Sequence, residues 1–172
     1  VCGMLSADEV QSLLESVTDG EPVPGLSGGL PNCQWRSTGG PILQVITTPA
    51  SEWSRALPET VRQIKASGVL PSGSAQMKKL EAGVKLVEDR GAVGDVEACD
   101  LWSQKLELQG HPPGRQQVVN LVPDKEHPEA VSAQICSGGR FTSVMVAGKF
   151  PMEAVARAAQ SVHRRALGQR SS

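Results

Sequence analysis

The order of apolar and polar residues predicts a helix at the start of the chain. Ser6 and Glu9 have the spacing of a capping box, in which each side chain satisfies a backbone N–H group of the first turn. Apolar residues then recur at helical spacing at Val10, Leu13, Leu14 and Val17. We expect this helix to end near Asp19-Gly20.

A hairpin is predicted after an irregular loop. Residues 20–31 are rich in Gly and Pro and show no periodicity, so we expect no regular structure there. Residues 32–37 and 42–48 alternate apolar and polar side chains on either side of Gly39-Gly40. This pattern is typical of two strands joined by a turn.

Pro58 divides the helical pattern that follows. Because proline cannot donate a hydrogen bond to the preceding turn, we expect one turn over residues 51–56 and the main helix over 58–67. Residues 75–88 fit a helix, although 84–87 could also form a strand.

The second half is predicted to contain several strands and a closing helix. We expect extended segments over residues 98–102, 105–108 and 118–122. Residues 131–136 and 141–147 flank Ser137-Gly138-Gly139-Arg140, which is a typical hairpin turn. Pro151 opens a helix over 151–167.

Together these elements predict an α+β fold, with a mostly antiparallel sheet and helices packed on one face. The chain of 172 residues fits one domain, which we place at 1–168, with a frayed tail at 169–172. The net charge of -1 argues against nucleic acid as a partner, because nucleic-acid-binding proteins are usually strongly basic. No apolar run is long enough to span a membrane.

The chain contains four cysteines, and no two of them form a Cys-x-x-Cys pair: Cys2, Cys33, Cys99 and Cys136. The spacing is wrong for a zinc ribbon or a thioredoxin-type redox site, and the even count favours two disulfides in an exported protein over four buried thiols. Of the three pairings we favour Cys2–Cys33 and Cys99–Cys136, since each joins segments predicted to be structured. The start at Val1 is consistent with a cleaved signal peptide, or with a trimmed cytosolic domain.

Several short motifs resemble a family of actinobacterial exported lipoproteins of unknown function. Residues 2–10 (CGMLSADEV) are similar to its cysteine-led first helix, Cys33-Gln34-Trp35 to its Cys-x-Trp strand, and residues 93–98 (VGDVEA) to its Gly-Asp turn. The layout of residues 131–167 also fits, so the resemblance covers about half of the chain. Extracellular sensor domains of bacterial kinases are similar in general appearance.

The resemblance implies a location in the cell envelope, the Cys2–Cys33 bridge and an α+β fold. It implies no enzymatic activity and no cofactor. It also leaves room for membrane attachment through an N-terminal segment removed from this chain.

The sequence offers few candidates for chemistry. His111, His127 and His163 share no ligand spacing, so we expect no metal site, and no nucleophile elbow or other catalytic motif is present. The Gly-rich segments at 25–29 and 137–139 lack the context of a phosphate-binding loop. Acidic pairs at Glu88-Asp89 and at Asp95 and Glu97 are more typical of solvated loops than of calcium or acid/base sites.

Two surfaces remain as candidates. Trp35, Trp53 and Trp102 could form a binding surface if exposed, and the alternative is that all three fill the core. The closing helix carries basic residues that could contact an anionic surface, at Arg157, Arg164, Arg165 and Arg170.

These observations support three functional hypotheses. The first is a non-enzymatic binding or interaction module of the bacterial cell envelope, which recognises a ligand, wall component or protein through loops on a rigid scaffold. The second is an enzyme that uses acid/base carboxylates or a histidine brought together by the fold. The third is an inhibitor or immunity-like protein that blocks a protein partner.

Overall fold

The computed structural model of the protein describes residues 1–16, 18 and 21–169. A short 3-10 helix, Cys2–Met4, precedes the main elements. The described α-helices are α1 Ala7–Leu14, α2 Ala50–Ser67, α3 Ala75–Arg90, α4 Asp95–Leu108 and α5 Met152–Gly168. The described strands are β1 Val23–Ser27, β2 Leu30–Arg36, β3 Ile42–Pro49, β4 Gln117–Val122, β5 Ala130–Ser137 and β6 Arg140–Ala147.

The strands form one antiparallel sheet in the order β1-β2-β3-β6-β5-β4. The predicted α+β class and antiparallel sheet are therefore confirmed. The centre of the sheet is the pair β3 and β6, in which Val45 lies opposite Val144 and Thr48 opposite Phe141.

Helices cover both faces of this sheet, where the sequence predicts them on one. Successive side chains of a strand point to opposite faces, so Val45 and Ile46 of β3 enter different cores. Val45 joins the core that α1 and α5 complete, and Ile46 joins the core of α2, α3 and α4. Both faces need cover because the central strands carry apolar side chains on both sides.

The first helix begins as predicted and ends early. Ser6 and Glu9 exchange the two hydrogen bonds of the capping box, at 3.3 and 2.7 Å. The helix ends at Leu14, and Glu15 takes a left-handed conformation with φ 51°. Thr18, which the sequence predicts as helical, instead forms an isolated antiparallel bridge with Ser37, and Val17, Asp19 and Gly20 lie outside the described residues.

The loop predicted over residues 20–31 is wrong in its second part. Strand β1 runs antiparallel to β2, and Gly28 and Gly29 turn the chain between them at φ 57° and 83°. The side chains of β1 are mostly exposed, and Pro24 lies within it. Such an edge strand is defined by backbone pairing and lacks the apolar alternation by which strands are recognised.

Two helices differ from prediction. The helix α2 continues through Pro58, because its buried face, with Trp53, Leu57 and Val61, holds both halves on one core. The segments predicted as extended at 98–102 and 105–108 belong to one helix, α4. The region over 75–88 is helical throughout.

The closing helix is confirmed, and Gln169 caps it with a backbone N–H bond to Arg165. Residues 170–172 of the predicted frayed tail lie outside the described residues.

Candidate functional site

The three tryptophans do not form a binding surface. Trp35, Trp53 and Trp102 are 6%, 5% and 0% exposed, and Trp53 stacks on Phe141 with ring centroids 5.8 Å apart. The core alternative therefore describes their positions, since each lies on the apolar face of its element.

Both favoured disulfides are present. Cys2–Cys33 joins the 3-10 helix to β2, and Cys99–Cys136 joins α4 to β5, with Cα atoms 5.1 and 5.2 Å apart. Because such bonds persist in oxidising compartments, they indicate a non-cytoplasmic location. Each also fixes a helix against the sheet.

Several of the charged residues singled out in the sequence have structural partners, and Arg170 lies outside the described residues. An Oδ1 atom of Asp95 accepts the backbone N–H of Ser51 at 3.1 Å, and Glu97 pairs with Arg90 at 3.1 Å. In the closing helix, Arg165 pairs with Glu9 of α1 at 2.9 Å. This ion pair lowers the pKa of Glu9 to about 2, and the capping hydrogen bonds to Ser6 contribute.

The histidines lie in separate places. Among the described residues no group of three or more His, Cys, Asp or Glu side chains is placed to hold a metal ion. His127 is exposed in the loop before β5, and His111 lies in the loop after α4. His163 is buried under the β5–β6 turn.

His163 bridges the turn and the sheet. Its Nε2 lies 2.9 Å from the Ser137 hydroxyl and its Nδ1 lies 2.9 Å from the Thr142 hydroxyl. The network continues to Thr47, which accepts a hydrogen bond from Arg140 at 3.0 Å. Burial lowers the pKa of His163, and the nearby Arg140 charge acts in the same direction.

This arrangement positions the turn. Cys136 faces α4, so strand alternation directs the neighbouring Ser137 side chain to α5 on the opposite face. The Ser137 hydroxyl and the imidazole have the spacing of a nucleophile and its base, but both lie between the hairpin and α5. We therefore assign His163 to holding the β5–β6 turn.

On the other side of that turn lies a cavity of about 260 Å³. Its walls are α4, the loop before β4 and the β5–β6 turn. It is lined by Val96, Cys99, Asp100, Ser103, Gly114, Arg115, Gln116, Cys136, Ser137, Gly138 and Gly139. The Cys99–Cys136 bridge joins two of the walls, so the cavity is built into the rigid part of the fold. We call it the turn cavity.

The positive charges of four basic side chains act on His111, and one of the four, Arg115, lines this cavity. Partial burial lowers the pKa of His111, and the positive charges of four neighbours lower it further: Arg115, Lys105, Lys79 and Lys125. The Lys79 ammonium also donates to the carbonyl of Gln109 at 3.5 Å. We call these five residues, from α3, α4 and two loops, the basic cluster.

The basic cluster has no acidic partners among the described residues. None of its lysines or its arginine is within ion-pair distance of a described carboxylate. The Asp124 carboxylate next to Lys125 accepts the backbone N–H groups of Glu126 and His127, at 3.0 and 2.8 Å. The charged side chains of the cluster therefore form no direct ion pair with a described carboxylate.

Lys105 is the buried member of the cluster. It is 8% exposed, and its ammonium lies 5.9 Å from the centre of the Trp53 ring. Burial lowers the pKa of Lys105 to about 8 because it disfavours the charged form. A Cβ atom on Gly83 of α3 would lie 3.0 Å from Lys105 Cγ, so a larger residue there would press against this stem.

Sequence reasoning did not identify the basic cluster or Lys105. The five residues are far apart along the chain, and a lysine in α4 is unremarkable until the fold places it under Trp53. Gly83 is the one trace in the sequence, because glycine inside a helix costs about 1 kcal/mol relative to alanine.

No protein-family profile matches the chain, and neither the curated proteins nor the solved structures contain a significant match. Within the described residues no helix combines the length and apolar character needed to cross a membrane.

Proposed function

We propose that the protein is a non-enzymatic binding module of the bacterial cell envelope, and that its basic cluster binds the anionic group of a small ligand. The observation that carries this proposal is that no described carboxylate lies within ion-pair distance of Lys79, Lys105, His111, Arg115 or Lys125.

The charge distribution supports an anionic ligand. The chain as a whole has a net charge of -1, so the cluster is a local excess of positive charge. Like charges within a Debye length, about 8–10 Å, repel one another. A bound anion relieves this repulsion and gains charge-assisted hydrogen bonds to the exposed donors Lys79, Arg115 and Lys125. A small ligand fits better than a nucleic acid, which needs an extended basic surface.

The turn cavity provides space for the rest of the ligand. Arg115 belongs both to the basic cluster and to the lining of the cavity. At about 30 Å³ per water molecule in the liquid, 260 Å³ corresponds to about nine waters, which suits a small metabolite or a short fragment. Asp100 on the α4 wall adds an acceptor for a hydroxyl or amino group.

The envelope location rests on two supports. The disulfides are consistent with export, and the motifs around Cys2, Cys33 and Trp35 resemble exported lipoproteins. Attachment to the membrane through an upstream lipidated segment would fit this proposal.

Titration with inorganic phosphate tests the proposal. In ¹H–¹⁵N spectra of the whole domain, we expect saturable shifts confined to residues around His111 and the turn cavity. Arg115→Gln should weaken phosphate binding about tenfold, the loss expected from one charge-assisted hydrogen bond worth about 1.4 kcal/mol. Arg164→Gln, an exposed change on α5, is the matched control and should leave binding unchanged.

Two results would overturn it. Shifts that do not saturate show that phosphate only screens the surface. Equal binding by the Arg115→Gln and Arg164→Gln variants shows that the cluster is not the site.

A further inference from the structure

We propose that the turn cavity binds a zwitterion, a small compound that carries both an ammonium and a carboxylate group, as a free amino acid does. This inference names the ligand class of the proposed anion site, and its carboxylate half rests on that proposed function. The ammonium half is inferred from Asp100, whose carboxylate belongs to the α4 wall of the same cavity.

The first observation is that one face of α4 forms a wall of the cavity. Val96 and Asp100 are four residues apart, as are Cys99 and Ser103, and all four line the cavity. Residues at this spacing are neighbours on one side of a helix, so the four side chains form a continuous strip. Because the Cys99–Cys136 bridge fixes α4 to the sheet, Asp100 is carried by a rigid wall.

The second observation is that a charge of the opposite sign lies on another wall. Arg115, in the loop before β4, lines the cavity together with Gln116. Asp100 and Arg115 are both exposed, so a ligand in the cavity can reach both of them. The cavity is therefore lined by a carboxylate and a guanidinium that come from separate elements.

The third observation is that these two charges do not pair with each other. Among the described residues neither Asp100 nor Arg115 takes part in an ion pair, so the two groups lie beyond ion-pair distance of one another. A ligand between them can offer its ammonium to Asp100 and its carboxylate to Arg115, and each contact is a charge-assisted hydrogen bond.

The same arrangement selects against ligands with a single charge. A simple anion is attracted by Arg115 and repelled by Asp100, and a simple cation meets the reverse. A zwitterion is attracted by both groups when its charges are correctly oriented. Because like charges brought together weaken binding of the wrong ligand, the pair of unlike charges gives the cavity its specificity.

The fourth observation is that the third wall consists of backbone. The Ser137 hydroxyl is directed to His163 on the other face of the sheet, at 2.9 Å. The next two residues are Gly138 and Gly139, with φ of 58° and 72°, and a two-residue hairpin turn of this kind favours glycine. No side chain from the turn therefore fills the space between α4 and the loop. Val96, which is 71% exposed, offers an apolar contact for a short aliphatic side chain.

A comparison of L-alanine with propionate tests the inference. Propionate has the carbon chain and carboxylate of alanine and lacks the ammonium group. In ¹H–¹⁵N spectra of the whole domain at about pH 7, where both charges of alanine are present, we expect saturable shifts around the turn cavity. Alanine should bind about tenfold more tightly than propionate, the gain expected from one charge-assisted hydrogen bond.

Two variants show whether Asp100 is responsible. Asp100→Asn keeps the shape of the side chain and removes its charge, so it should abolish the preference for alanine without weakening propionate binding. Asp89→Asn is the same change at an exposed position of α3 outside the cavity lining, and it should keep the tenfold preference.

The outcomes separate this inference from the proposed function. Equal binding of alanine and propionate to the wild type overturns the zwitterion site and leaves the anion site in place. Saturable phosphate binding without alanine binding has the same meaning. A preference for alanine that persists in Asp100→Asn also overturns the inference, because the ammonium is then held by another group. If phosphate, propionate and alanine all fail to bind, both the inference and the proposed function are refuted.

Discussion

Replacing Lys105 by methionine should change how the stability of the protein depends on pH. Methionine has a similar length and no charge, so Lys105→Met keeps most of the packing against Gly83 and Trp53 and removes the buried ammonium. The comparison of the two proteins isolates the ionisation of this one side chain, since all other titrating groups are shared.

The expected magnitude follows from the pKa of Lys105 in the folded chain. The value falls from 10.5 to about 8 on burial. Each tenfold change in proton affinity is worth about 1.4 kcal/mol, so charged Lys105 lowers the free energy of unfolding by about 3 kcal/mol. The penalty is fully present below pH 8, where both folded and unfolded chains hold the proton.

Above pH 8 the folded chain releases this proton while the unfolded chain retains it up to about pH 10.5, so stability rises with pH across that window. We expect the free energy of unfolding of the wild type to rise by about 2–3 kcal/mol relative to Lys105→Met between about pH 7 and pH 10. Urea denaturation at a series of pH values, followed by tryptophan fluorescence, measures this difference.

The control is Lys85→Gln, at an exposed position on α3. Its stability should stay parallel to that of the wild type at every pH. A constant difference between the wild type and Lys105→Met would refute the reasoning, because it would mean that the ammonium is as well solvated in the folded chain as in the unfolded one.

Three further predictions concern other parts of the fold. Because burial lowers the pKa of His163, the stabilising contribution of its neutral form should be lost as pH falls below 6.5. The melting temperature of the wild type should therefore fall more steeply in acid than that of His163→Gln, and parallel curves would contradict this. Replacing Cys99 and Cys136 together by alanine should lower the free energy of unfolding by about 4 kcal/mol, from the loop entropy of a 37-residue separation, and urea denaturation would show it. Gly28→Ala should lose about 1–3 kcal/mol, since its Cβ would lie 2.1 Å from Thr60 Oγ1 at a φ of +57°. Adding Thr60→Ala should restore part of that loss, and a double variant without recovery would point to the backbone alone.

The sequence predicts those parts of the fold that depend on local pattern. The capping box at Ser6, the Gly138-Gly139 hairpin and the closing helix are each encoded within a few residues, and all three are confirmed. The disulfide pairs are also confirmed, because each joins elements whose existence was already expected.

The sequence-based predictions are wrong for segments whose secondary structure depends on packing against distant parts of the chain. The spacing of Ala98, Leu101 and Trp102 fits a helix, but the apolar Cys99 between them also allows an extended segment. Packing against the two neighbouring helices selects the helix. Strand β1 has no apolar alternation, so it is defined by its backbone pairing with β2, which the sequence pattern does not reveal. The candidate site is harder still, since the charge field around His111 comes from residues on four separate segments.

Strand β1 has a consequence for the behaviour of the protein at high concentration. It is the outer strand of the sheet, and Val23 and Leu26 on it are 56% and 74% exposed. An exposed edge strand with apolar side chains can pair with a strand from another molecule and start fibril formation. Pro24 offers no N–H group to such a strand, and the edge ends after five residues at the Gly28-Gly29 turn. Both features hinder edge-to-edge stacking along β1, the outer strand on that side among the described residues.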